Sequence, residues 1–146
     1  MPAQRLAATL TSADVEGLLG VMVHPPALPE GRAAWDWVRQ VQIAAALVLA
    51  YLDDGWEGSA RRTALSALIY GPMDWTGGAA IVALADLAVR DPGAGAEVEG
   101  TFLDVLERRP SAGDWALEMP LLYSLARLPN LGERGSAVLK AHRQRW

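Results

Sequence analysis

The chain contains no cysteine, and that absence removes disulfides, thiolate nucleophiles and thiolate metal ligands together. Histidine is nearly absent as well. His24 and His142 are the only two, and neither has a Glu or His at metal-ligand spacing. Long hydrophobic runs are missing. The longest, residues 43–52, falls well short of the roughly 20 apolar residues a membrane span requires. An excess of positive charge is missing too: 13 Lys and Arg stand against 17 Asp and Glu, for a net charge of -4. That balance argues against a general nucleic-acid binder. The first residues show no charged, apolar and small-residue succession of a signal peptide, so the cytoplasm is the expected location. Phosphate loops, dinucleotide fingerprints and nucleophile elbows are also absent. Asp53, Asp54 and Glu57 offer oxygens for a hard cation but lack calcium-loop spacing, and a solvated turn accounts for them. The expectation is a non-enzyme with no cofactor, no metal, no membrane association and no nucleic-acid partner.

What is present is a repeat. Asp-Trp pairs stand at Asp36-Trp37, Asp74-Trp75 and Asp114-Trp115, 38 and then 40 residues apart. A fixed period in this range marks a stacked-repeat architecture. In the first unit a helix from about residue 35 carries Val38, Val41, Ile43, Ala46, Leu47, Leu49 and Ala50, too dense for a one-sided stripe and therefore buried on most of its circumference. Asp53-Asp54-Gly55 stops it, with glycine supplying a left-handed backbone. A second helix is expected over residues 57–70, with Ala60, Ala64, Leu65, Leu68 and Ile69 at helical spacing.

The second unit repeats the plan. Asp74 is a suitable N-cap, Ile81, Leu84, Ala85, Leu87 and Ala88 form a stripe, and Asp91-Pro92-Gly93 makes the turn. Val98, Phe102, Leu103 and Leu106 form the next stripe. The third unit carries Leu121, Leu122, Leu125 and Leu128, a turn at residues 129–132, and a last helix over about residues 133–145. Counted from each Asp, one column reads Ile43, Ile81 and Leu121. A second reads Leu65, Leu103 and, with the third turn four residues shorter, Leu139. Pro120 interrupts the third unit's first helix and predicts a kink or a late start. Gly77-Gly78 weakens the opening of the second unit's first helix.

Ahead of the repeats, residues 12–23 predict a short helix with Ser12 as N-cap and Val15, Leu18, Leu19 and Met22 as its apolar face. A Pro-rich linker follows. Residues 1–34 thus read as an N-terminal helical cap, or a degenerate repeat, followed by hairpins over residues 35–72, 73–112 and 113–146 in one continuous domain. The fold class is all-α.

The segment Leu52-Asp53-Asp54-Gly55-Trp56-Glu57-Gly58-Ser59-Ala60-Arg61-Arg62-Thr63-Ala64-Leu65-Ser66-Ala67-Leu68 resembles the HEAT and armadillo class of helical repeats. It shows the inter-helix turn Asp, then Arg and an Ala-Leu run. Val89-Arg90-Asp91-Pro92 shows the turn again, although Glu97 and Glu99 stand where the pattern has Arg, and the third turn has Asn130 in place of Asp. The resemblance covers about residues 35–146 and implies a short right-handed α-α superhelix of about three antiparallel hairpins. Proteins of this class mostly act as scaffolds or adaptors. It therefore implies a non-catalytic protein-protein interaction module, with another protein or a second copy as partner. The alternative it carries is a HEAT-like enzyme or chaperone acting on a cofactor-bearing protein, or on nucleic acid in the manner of a DNA glycosylase.

In such stacks the second helix of each hairpin lines the concave face. That places Arg61, Arg62 and Ser66, then Glu97, Glu99 and Asp104, then Arg134, Lys140, Arg143 and Arg145 toward solvent, in basic, acidic and basic bands. An ordinary solvated face and a protein-docking groove both fit these charges. Of the six tryptophans, Trp37, Trp75 and Trp115 read as packing wedges between hairpins or staples of the helix start, or as an aromatic ridge. Trp35, Trp56 and Trp146 lie outside that column and are expected to be partly exposed, and capping accounts for the three paired Asp residues.

Overall fold

Helix is what this sequence builds. A computed structural model describes residues 2–52, 55–56, 59–70, 75–108 and 115–144, with only the backbone at 75 and 115–117. Among the described residues there are eight α-helices and no strand. They are α1 (Pro2–Ala7), α2 (Val15–Val23), α3 (Ala34–Tyr51), α4 (Ala60–Tyr70), α5 (Trp75–Arg90), α6 (Gly95–Arg108), α7 (Trp115–Ala126) and α8 (Glu133–Arg143). Contacts divide the chain into two compact units, residues 1–83 and 84–146, with the boundary inside α5.

In the first unit α3 packs against α1, α2 and α4. Its second half is closed off on nearly every side, with Ala45, Ala46, Val48, Leu49 and Ala50 all buried. Its first half, with Trp35, Arg39 and Gln40, is open to solvent, so the all-round burial expected of this helix holds only beyond Ala44. The helix that fits that description along most of its length is α5. From Ala79 to Ala88 only Val82 and Asp86 escape burial. An all-round apolar pattern of this kind is what a helix inside a core requires.

Two N-terminal features depart from the sequence pattern. The short helix α1 is unpredicted, yet Pro2 at its first position suits a helix start and Ala7 is buried. The 3-10 turn Ser12–Asp14 opens one residue earlier than expected, at Thr11 and not Ser12. Asp14 is the reason: its carboxylate reaches back to accept the Thr11 backbone N–H at 2.8 Å and the Thr11 hydroxyl at 3.1 Å.

Asp36 also moves. It lies at the third position of α3, not at its cap, and binds Gln40 Nε2 at 2.8 Å and Arg32 at 3.8 Å. Asp74 and Asp114 lie outside the described residues, as do Asp53, Asp54, Glu57, Arg145 and Trp146. The Trp75 and Trp115 side chains lie outside them too. Trp37 is half-buried and donates its indole N–H to the Pro26 carbonyl at 2.9 Å, tying the Pro-rich linker to the start of α3. That contact lies at the start of α3, where the sequence pattern predicts either a staple of the helix start or a wedge between hairpins. Trp35 is 62% exposed as expected, whereas Trp56 is 7% exposed.

Trp56 is held by its neighbours in α4 and just before it. Ser59 Oγ donates to the Trp56 carbonyl at 2.9 Å, and the Arg61 guanidinium stands 5.9 Å from the ring centroid, within cation–π range. Gly55 supplies the left-handed backbone that the turn requires, at φ 71°.

In the second unit α6 packs against α7, and α7 against α8. Val98, Phe102, Leu103, Val105, Leu121, Leu122, Leu125 and Leu128 form its buried apolar set. Full burial of a Leu or Phe contributes about 1.5–3 kcal/mol, so this set is the main cohesive force of the unit. Asp91 caps the turn before α6 by accepting the Gly93 N–H at 3.0 Å, with Pro92 at the first turn position as the sequence pattern requires. α7 runs through Pro120 and starts at Trp115, so the late start does not occur.

The predicted columns are largely core. Ile81, Leu121, Leu65 and Leu103 are all buried, while Ile43 is half-buried. A change of Gly55 to Ala is expected to destabilise the chain by about 1 kcal/mol through backbone strain alone, because nothing lies within 4 Å of a Cβ there. Urea unfolding of this variant measures that cost, and unchanged stability would mean that the turn tolerates another backbone conformation.

Candidate interaction site

The concave-face expectation places Arg61 and Glu99 in solvent, and the structure puts both inside. Arg61 is 3% exposed and Glu99 is 8% exposed. Helical register is the reason. Arg61 shares the α4 face of Ala64, Leu65 and Ile69, and Glu99 shares the α6 face of Phe102 and Leu103. The signal was available in the sequence: both residues lie 25 positions after the Asp of their unit, four before the core leucines Leu65 and Leu103.

Both charges complete helix ends. The last carbonyls of a helix have no partner within it, and Ala50 near the end of α3 is fully buried from water. Arg61 Nη1 donates to the Ala50 carbonyl at 3.1 Å, while Nε and Nη2 donate to the Gly55 carbonyl at 3.1 and 2.7 Å. One planar fork thus holds the end of α3 and the turn beyond it, and its positive charge suits the negative helix end.

Glu99 acts at the opposite kind of end. The cap residue of α8 is Gly132, which has no side chain to offer. Glu99 Oε2 accepts the Gly132 N–H at 2.9 Å, and Oε1 accepts the Gly135 N–H at 3.2 Å. Those are the two donors that a local capping box would satisfy, here served by one carboxylate from another helix. Glycine at 135 makes room for it, since a Cβ there would lie 2.5 Å from Glu99 Oε1 and 2.7 Å from Leu131 Cδ1. Gly135 is also the position equivalent to Arg61 and Glu99 once the shorter third turn is allowed for.

The remaining candidates scatter. Arg62 and Ser66 on α4 and Glu97 on α6 are half-buried. Asp104 forms an ion pair with Arg108 one turn on, at 2.9 Å. Arg134 pairs with Glu107, so it too is engaged within its unit. Lys140 and Arg143 are exposed in the last turn of α8, about 7.5 and 12 Å along the helix from the Gly135 contact with Glu99 at 1.5 Å per residue.

A different site emerges beside Arg143. Met119, Leu122, Tyr123 and Ala126 of α7, with Leu139, His142 and Arg143 of α8, line a groove of about 490 Å³. Its floor is apolar. Tyr123 is 67% exposed, a large aromatic with no packing role on its outer side. Leu139 belongs to the core column, yet it is only half-buried because it borders this groove.

One end of the groove is cationic. His142 lies 3.8 Å from Glu118, while neither Lys140 nor Arg143 has a carboxylate partner among the described residues. Periodicity assigned Leu122 and Leu139 to the core, and nothing in the pattern marked Tyr123 as exposed. The weaker signal was the polar last turn Lys140, His142 and Arg143 set against an apolar α7.

Among the described residues no cluster of three or more His, Asp or Glu could hold a metal ion, and no helix is long and apolar enough to cross a membrane. No protein-family model, curated protein or solved structure matches the chain.

The capping geometry sets an order of severity. Glu99→Ala, which strands two N–H groups and opens a cavity, is expected to lower stability by about 1–3 kcal/mol. Gly135→Ala should be comparably damaging through the clash, and Glu99→Gln milder, since its amide oxygen still accepts one bond. Chemical denaturation followed by helical circular dichroism checks the series. Equal stability of wild type and Glu99→Ala would show that α8 is held without this cap.

Proposed function

We propose that this chain is a non-catalytic protein-interaction module built on a short HEAT-like stack of helical hairpins, and that it docks its partner in the α7–α8 groove. The columns Ile43, Ile81 and Leu121, and Leu65, Leu103 and Leu139, in three successive pairs of helices support the repeat reading. The exposed aromatic wall supports the docking site. Tyr123, 67% exposed beside an apolar floor, is of a residue type enriched at protein interfaces. The volume of about 490 Å³ suffices for two or three anchoring side chains.

The charged bands do not carry this reading. Arg61 and Glu99 hold helix ends, so reversing either charge unfolds a turn and says nothing about a surface. The variants that address docking are Tyr123→Glu and Leu139→Glu, at exposed and half-buried positions of the groove. Tagged wild-type protein is expected to capture a specific protein from native lysate, and the still-helical Tyr123→Glu variant is expected to lose it. Arg62→Glu, on α4, should retain it. Equal capture by wild type and both groove variants would remove the groove from the proposal.

A further inference from the structure

The groove combines three properties that select among partners. It is open along its length, its floor is apolar, and its charge is gathered at one end. From Met119 to Ala126 it follows about two turns of α7, roughly 10 Å at 1.5 Å per residue. A small ligand in a dedicated pocket is mostly enclosed, whereas Tyr123 here keeps 67% of its surface in water. Such a shallow apolar channel between two helices suits a third helix laid into it, presenting apolar side chains at successive turns.

Charge fixes the direction and the chemistry. Arg143 stands at the groove end, and Lys140 and His142 share its turn of α8. Among the described residues Glu118 is the carboxylate in ion-pair reach of this turn, 3.8 Å from His142, and Arg143 has no such partner. A basic partner helix would meet like charge there. An acidic one would place a carboxylate against Arg143, where a guanidinium offers bidentate hydrogen bonds. Resting on the docking reading above, we infer that the α7–α8 groove receives an amphipathic helix of another protein, with apolar anchors two turns long and acidic residues at the end that meets Arg143.

The test uses the full chain and two synthetic peptides of about 16 residues, long enough to hold a helix. Both carry Leu at positions i, i+4 and i+7. One places Glu at both termini of the Leu stripe, the other Lys at the same positions. Fluorescence anisotropy of the labelled peptides reads binding, and far-UV circular dichroism confirms that each protein variant stays folded.

The acidic peptide is expected to bind wild type about tenfold or more tightly than the basic one, and Arg143→Glu is expected to invert that order. Leu139→Glu should abolish binding of both. Equal binding of the two peptides, lost together in Leu139→Glu, would overturn the acidic-helix inference and leave the groove as a docking site. Binding indifferent to Leu139→Glu, or no binding of either peptide, would overturn both. A wild-type dimer in sedimentation that Leu139→Glu dissociates, and that excludes the peptides, would assign the groove to a second copy and overturn the inference.

Discussion

Every α-helix leaves backbone donors unpaired at its start and acceptors unpaired at its end, and in this chain other helices supply the missing partners. Arg61 of α4 closes the end of α3, and Glu99 of α6 closes the start of α8. Gln42 of α3 does the same for α2, donating its amide N–H to the buried Met22 carbonyl at 3.1 Å. A helix in this arrangement is finished by its neighbour, so packing and hydrogen bonding are satisfied together or not at all. The apolar stripes supply most of the burial, but they are tolerant of sliding. The polar contacts are not, and they fix the axial register at which each pair of helices meets.

This division of labour explains what the sequence disclosed. The spacing of Leu65, Leu103, Ile81 and Leu121 was enough to place helices and core, because burial follows a simple period of 3.6 residues. Turns marked by Gly55 and by Asp91-Pro92-Gly93 were legible for the same reason: their chemistry is local. Glu99 was not, since its partners lie 33 and 36 residues away and no period announces them. Its charge reads as a surface signal, although its register with Phe102 and Leu103 puts it on the core face. Arg61 reads in the same way.

The candidate site was less legible still. A groove is space left between side chains, and its existence depends on what fails to fill it. Leu139 reads as core in the repeat, but it is half-buried on the groove wall, and Tyr123 beside it is exposed. Periodicity identifies positions; it does not weigh the volumes that face each other across two helices. The contrast between an apolar α7 and the basic last turn of α8 was present in the sequence and amounted to a hint about location.

The Glu99 cap also bears on the order in which the chain assembles. α8 has 11 residues, below the length at which an isolated helix persists in water, and its cap position is a glycine. Its first turn gains its hydrogen-bond acceptor only when α6 is already formed and in place. Loop closure over more than 30 residues must therefore precede a stable α8. The groove wall built from Leu139, His142 and Arg143 therefore depends on α6 through the cap at the start of its helix. A nascent or partly unfolded chain without α6 in place would lack that surface.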